Sequence, residues 1–379
     1  MKLSLFLLLL LNCLLFSQTI SSVEGSFENG NSITINGNGF GAKSSAAPLI
    51  SSYDNPTSAN NFSGGSIGGS WETSGTVNLI NSSPRTSFYQ SSYKARYDQA
   101  GDYKSLRYVH VNRDDHLYIS FWIYRDYSPW SIVSGSGNNS KFLRIYTDGS
   151  GSGGNTYDRV LTENGSGNLT NMGASGDNIG VGGGTWSIAY SACNAFKYSS
   201  VAWNVETSSC LHQLRQWTHC EYIIDYPSAL SVWDGVWTTI YNGATAYRCT
   251  NISMNDVGQT NDRRWVLIGH VSGGRSSTGY EYLDQVYIDN TWARVFISDA
   301  SNITSSTDYG SANHREVQVC SSWSNNQITF QLNQGEFTNG ETAYVYVVTP
   351  NGNISNARQI TFGSSANNPQ TPSGLLVSP

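Results

Sequence analysis

The chain has 379 residues, a net charge of -6 from 21 Lys+Arg against 27 Asp+Glu, and only 13% charged residues; an average globular protein carries about 25%. Such an acidic balance excludes a nucleic-acid binder, which needs clustered cations to displace phosphate counterions. With 38 Gly, 23 Tyr, 11 Trp and 3 Met, the composition also excludes a helical bundle or coiled coil, and aromatics at 12% are too many for a disordered chain. An all-β protein remains.

In chain order, residues 1–17 come first. Lys2, an apolar run and then small polar residues make the layout of a secretory signal peptide, too short to favour a membrane span. Cleavage after Ser17 leaves Gln18 first, and the protein is expected to be secreted or held at the cell surface, with no transmembrane span. Cys13 leaves with the leader. Of the five remaining cysteines, Cys193, Cys210, Cys220 and Cys249 are the disulfide candidates, with Cys320 distant.

Strand signals then recur without a sustained helical period. They fall at 32–37, 116–126, 141–148, 217–226, 235–243, 264–271 and 282–299, and near the C-terminus at 327–332, 342–352 and 357–362. Glycine-rich stretches, such as 164–184, read as loops. Residues 364–379, rich in Ser, Asn and Pro, read as a flexible tail. Many strands separated by turn signals predict a β-sandwich.

Two resemblances refine this. Ser32–Ser44 (SITINGNGFGAKS) resembles the opening of an IPT/TIG immunoglobulin-like domain, and the segment from His314 through ARQITF resembles its later strands. The resemblance implies a split Ig-like domain over 24–50 and 312–363. Between them, LYISFWIY, the Trp217-x-x-x-Glu221-x-x-x-Asp225 segment with DGVWTTIYNG, and GYEYLDQVYIDNTWARV resemble the concanavalin A-like jelly roll of lectins, glucanases and polysaccharide lyases. That domain is expected over 53–300. The fold class is therefore all-β: a jelly-roll β-sandwich plus a smaller Ig-like β-sandwich.

Strand alternation assigns faces. In 116–126, Leu117, Ile119, Phe121 and Ile123 form the apolar face; His116, Tyr118, Ser120, Trp122, Tyr124 and Asp126 form an aromatic-polar one. Rings stack on sugar faces while Tyr, His and carboxylates hold hydroxyls. Tyr118, Trp122, Tyr124, Arg144, Tyr146, His219, Glu221 and His270 are thus the glycan-binding candidates, with a polysaccharide or surface glycan as partner. A protein partner at the cell surface is the alternative.

An enzyme of this resemblance is a lyase before a glycosidase. Jelly-roll lyases use a Tyr or His base with an Arg that neutralises the uronate, which His219, Tyr146 and Arg144 could supply. The retaining glucanases need two carboxyls about 5 Å apart, whereas Glu221 and Asp225 are roughly 13 Å apart along a strand. No alginate-lyase signature is present, so a non-catalytic role is favoured. No cofactor is required; a structural calcium is the one ion considered, with Asp284 and Asp289 as ligand candidates.

Overall fold

The computed structural model describes residues 18–51, 62–68, 71–80, 85, 92–97, 105–110, 116–125, 139–146, 155–162, 169–176, 216–226, 228, 234–252, 264–272, 279–310 and 312–364. In several strands the backbone pairing alone is described. Among these residues are twenty-one strands and no helix. They run β1 (Thr19–Glu24), β2 (Ser32–Asn38), β3 (Ile50–Ser51), β4 (Phe62–Gly68), β5 (Trp71–Ile80), β6 (Ser92–Tyr97) and β7 (Ser105–His110). Next come β8 (His116–Arg125), β9 (Asn139–Tyr146), β10 (Asn155–Thr162), β11 (Leu169–Gly176), β12 (Thr218–Asp225), β13 (Gly235–Tyr241) and β14 (Ala244–Ile252). The last are β15 (Arg264–Ser272), β16 (Gly279–Asp289), β17 (Arg294–Ser298), β18 (Arg315–Trp323), β19 (Gln327–Gln331), β20 (Thr342–Val348) and β21 (Arg358–Thr361). The described residues are all-β, in one large and one smaller sheet.

Two compact units divide the chain. The first takes the residues up to Ala47, Ala293–Ser306 and those from Arg315 onward; the second takes Pro48–Trp292 and Thr307–His314.

In the first unit, antiparallel strands follow the order β1-β2-β19-β18-β17-β20-β21. Strand β18 belongs to both halves of this path. Its first residues, up to Gln318, pair with β17, while Val319–Trp323 pair with β19. A register shift between Cys320 and Ser322 bends it from one half to the other, the usual work of a bulge at a sheet corner. One core results, from Ile20, Ile33, Ile35, Val295, Phe330 and Val345 among others. Alternation explains the packing: Ile33 and Ile35 are wholly buried, while Ser32, Thr34 and Asn36, which alternate with them, are not.

Three details differ from the sequence expectation. Strand β1 starts at Thr19, upstream of the expected boundary at 24. The segment 282–299, read as one jelly-roll strand, is two strands broken at Asn290–Ala293, and the second, β17, lies in the first unit. All five β17 residues are buried because β18 and β20 flank it. Ser364, assigned to the tail, is tied in: its carbonyl accepts from Phe27 N at 2.8 Å.

The second unit forms one antiparallel path, β11-β10-β9-β15-β7-β5-β6-β16-β8-β12-β13-β14, with β3 on β16 and β4 on β5. Strand β11 lies in a stretch read as glycine-rich loop, yet pairs with β10 from Thr156↔Gly176 to Thr162↔Leu169. Backbone hydrogen bonding, which glycine supplies as well as any residue, makes this strand. Strands β13 and β14 meet at Asn242-Gly243, both with positive φ (46° and 88°), the requirement of a two-residue hairpin whose twist matches its strands.

Cys220, expected in a disulfide, is instead a buried thiol, as is Cys320. Its place on β12 between β8 and β13 explains this: the side chain sits among packed strands with no accessible surface. Residues 1–17, Cys193, Cys210 and residues 365–379 lie outside the described residues, as does the side chain of Cys249. Among the described residues no helix is long and apolar enough to cross a membrane.

Candidate functional site

Strands β16, β8 and β12 lie side by side, and their register fixes which residues are neighbours. Trp122 pairs with His219 and Asp284, Ser120 with Glu221 and Tyr287, and Tyr118 with Ile223 and Asp289. Because paired positions point to the same side of a sheet, Tyr118, Ser120, Trp122, His219, Glu221, Asp284, Tyr287 and Asp289 share one face. A bulge between Asp284 and Tyr287, where Gln285 takes φ 49°, keeps the acids of β16 on that face despite their uneven spacing.

The centre of this face is a closed polar network. Tyr118 OH donates to Glu221 Oε1 at 2.7 Å, and Tyr309 OH donates to the same oxygen at 2.9 Å. The other carboxylate oxygen lies 3.6 Å from His219 Nδ1, and His219 Nε2 lies 2.8 Å from Ser120 Oγ. The imidazole stacks on Trp122, centroids 4.6 Å apart and 12° between planes, and the Arg85 guanidinium lies 3.6 Å from the same indole centroid. Asn242 clasps the backbone of His219 twice: its N–H donates to the His219 carbonyl and its Oδ1 accepts from the His219 N–H, each at 2.9 Å. Glu221, His219, Ser120 and Tyr118 are each at most 2% exposed. A carboxylate so removed from water is tolerable only with such donors around it.

The two ends of the face are open. At one, Tyr124, Trp217 and Tyr282 are partly exposed, and Tyr124 contacts both of the others, with centroids 5.6 Å (Tyr124–Trp217) and 5.8 Å (Tyr124–Tyr282) apart. At the other, His116 Nδ1 lies 3.0 Å from Asp225 Oδ1, and the His116 ring packs on Trp292 at 4.6 Å. Strand rise puts these ends roughly 26 Å apart along β8.

The expected site residues therefore have different fates. Tyr118, Trp122, His219 and Glu221 do come together, but enclosed, where the sequence reading had them open to a ligand. The cover comes from Tyr309 and Arg85. Neither has a local signal: Tyr309 stands in an aperiodic loop, and no neighbour of Arg85 marks it. Tyr124 stays partly exposed. Arg144, Tyr146 and His270 lie on β9 and β15, where backbone pairing alone is described: Arg144↔Leu267, Tyr146↔Trp265 and His270↔Lys141. Six strands separate β9 from β12 in hydrogen-bonded order.

Asp284 and Asp289, the calcium-ligand candidates, each accept local hydrogen bonds. Asp284 Oδ1 accepts from Gln285 N at 2.9 Å; Asp289 accepts from Asn290 N at 2.9 Å and from Tyr287 OH at 3.1 Å. Among the described residues no cluster of three or more His, Cys, Asp or Glu could hold a metal ion.

No protein-family model matches the chain, and no curated protein matches it. Solved structures are similar at low identity. An endo-β-1,4-glucuronan lyase from the fungus Trichoderma reesei is 11% identical, with TM-score 0.35, covering 73% of this chain and 97% of its own. The alginate lyase Aly36B, solved as a mutant with alginate trisaccharide, is 13% identical, with TM-score 0.36 and coverage of 56% and 87%. An alginate lyase from Chlorella virus is 14% identical, with TM-score 0.33 and coverage of 61% and 99%.

Proposed function

We propose that this chain is an exported carbohydrate-binding protein that takes a neutral or weakly acidic polysaccharide along the β16-β8-β12 face. The observation that carries the proposal is the open cluster of Tyr124, Trp217 and Tyr282 at the end of that face. Three contacting rings, partly in water, are costly unless something apolar covers them, and the faces of pyranose rings suit them. Low charge across the chain agrees with recognition by stacking and neutral hydrogen bonds rather than by ion pairs. The IPT/TIG-like character of the first unit, the cleaved leader and surface localisation belong to the same proposal. A structural calcium remains a proposal without a ligand set among the described residues.

The test is affinity electrophoresis and calorimetry of the full chain against a panel of neutral and uronate-containing polysaccharides. Trp217→Ala should weaken binding about tenfold or more without changing the circular dichroism, as expected for removing an anchoring aromatic worth more than ~1 kcal/mol. If the wild type binds no member of the panel, the proposal falls.

The second reading is β-elimination on a uronate polymer by His219, Tyr146 and Arg144. The position of His219 between Ser120 and Glu221 favours it, because a base needs an orienting partner; its burial weighs against it. The same panel, followed for the ultraviolet absorbance of an unsaturated product, separates the two readings: a flat trace with every uronate polymer rejects the lyase.

A further inference from the structure

Residues 307–314 belong to the second unit although the chain on both sides of them belongs to the first. The described ones among them add no strand to either sheet. Yet two of their side chains, Tyr309 and Ala312, are buried, while Asp308, Gly310 and Asn313 stay exposed. Tyr309 reaches the centre of the polar face: its phenol donates to Glu221 Oε1 at 2.9 Å and its N–H donates to the Gly243 carbonyl at 3.0 Å. Thr245 Oγ1 donates to the Thr307 carbonyl at 2.5 Å, and His314 packs 6.2 Å from Trp122.

We propose that this segment is a displaceable plug, and that Tyr309 occupies an inner sugar subsite walled by Tyr118, Ser120, His219 and Glu221. The inference rests on the carbohydrate reading of the same face. A phenol is a six-membered ring with one hydroxyl, and here that hydroxyl is directed at a buried carboxylate. A pyranose presents a ring of similar size with several hydroxyls. One of them can donate to Glu221 in place of the phenol, as a short charge-assisted hydrogen bond. Others lie within reach of Ser120 Oγ and Tyr118 OH. A buried carboxylate that must always hold two hydroxyl donors is served equally by two tyrosines or by one tyrosine and a sugar. Displacement is feasible because the described residues of the segment join no strand ladder, and segments outside ladders open at lower free energy than core strands. The open cluster of Tyr124, Trp217 and Tyr282 then binds first, and a chain long enough to extend over the centre competes with Tyr309 for the inner subsite.

The test measures binding of cellohexaose, xylohexaose, mannohexaose and laminarihexaose to the wild type, Tyr309→Phe and Trp217→Ala by calorimetry. It also follows amide hydrogen exchange of wild-type Tyr309 and Ala312 with and without saturating sugar. The Tyr309→Phe variant keeps the ring but frees Glu221 from one donor. It should bind at least one hexasaccharide roughly tenfold more tightly, because less of the protein is held closed. Sugar should speed exchange at Tyr309 and Ala312 in the wild type, which no purely structural segment would do. If Tyr309→Phe binds no better, exchange is unchanged or slowed, and Trp217→Ala still weakens binding, the plug is overturned and the carbohydrate reading stands. If no protein binds any hexasaccharide, the plug falls, and the polysaccharide panel decides the carbohydrate reading separately. The exchange measurement decides the matter even if Tyr309→Phe does not fold.

Discussion

Tyr346 shows how burial at a single residue sets a stability response. Its phenol donates to the Ala300 carbonyl at 2.8 Å and accepts from Ile303 N at 3.3 Å, and its ring stacks on Phe296 at 5.1 Å. Burial raises its pKa above the ordinary value of 10.0, the Ile303 bond opposes this, and Tyr344 adds a smaller rise. Between the unfolded and folded values, the unfolded chain releases a proton that the folded chain retains. Stability is therefore complete below about pH 10 and falls as pH rises through the folded value. Urea unfolding free energies measured from about pH 8 to about pH 11 should show this decline, and Tyr346→Phe should flatten it while lowering neutral-pH stability by about 1 kcal/mol for the lost hydrogen bonds. At the same scale, Tyr118 and Glu221 show the limit of residue identity. A Tyr or Glu on a strand reads as a ligand contact, yet both are buried here because each satisfies the other.

Element by element, alternation was legible where only two outcomes exist. Residues 32–37, 116–126, 217–226 and 327–332 coincide with β2, β8, β12 and β19 to within two residues. Which face of β8 is apolar could be read from Leu117, Ile119, Phe121 and Ile123. What lies over the opposite face could not, because Tyr, Trp and His suit both water and a hydrogen-bonded interior. The β13-β14 hairpin gives a prediction at this scale. Asn242 holds positive φ and fixes β12 through the His219 backbone. Replacing it with Ala adds left-handed strain and removes that acceptor, so Asn242→Ala should cost about 1–3 kcal/mol. The loss would be read as a lower thermal midpoint, with Asn242→Gly recovering the strain component alone.

For the whole molecule, the first unit is assembled from strands nearly the full chain apart: β2 pairs with β19, and Phe27 bonds to Gly363 and Ser364. Its core should fail as one body. Ile297→Ala, in the fully buried β17, should cost about 2–5 kcal/mol. Hydrogen exchange should then rise together in β2, β19 and β20, although these lie far apart in sequence; faster exchange confined to β17 would show the unit is not cooperative. By itself the sequence determined that the protein is all-β, acidic and poor in charge, and where most strands with a clear apolar period lie. Those properties depend on composition and on neighbours two residues apart, which any local reading contains. Only the tertiary structure decided that β17 serves the first unit, that Cys220 is a packed thiol, and that Tyr309 closes over Glu221. Each is a meeting of residues distant in sequence, such as Cys220 with Phe121 and Tyr309 with Glu221, and no local pattern encodes which distant side chain will complete a buried polar group.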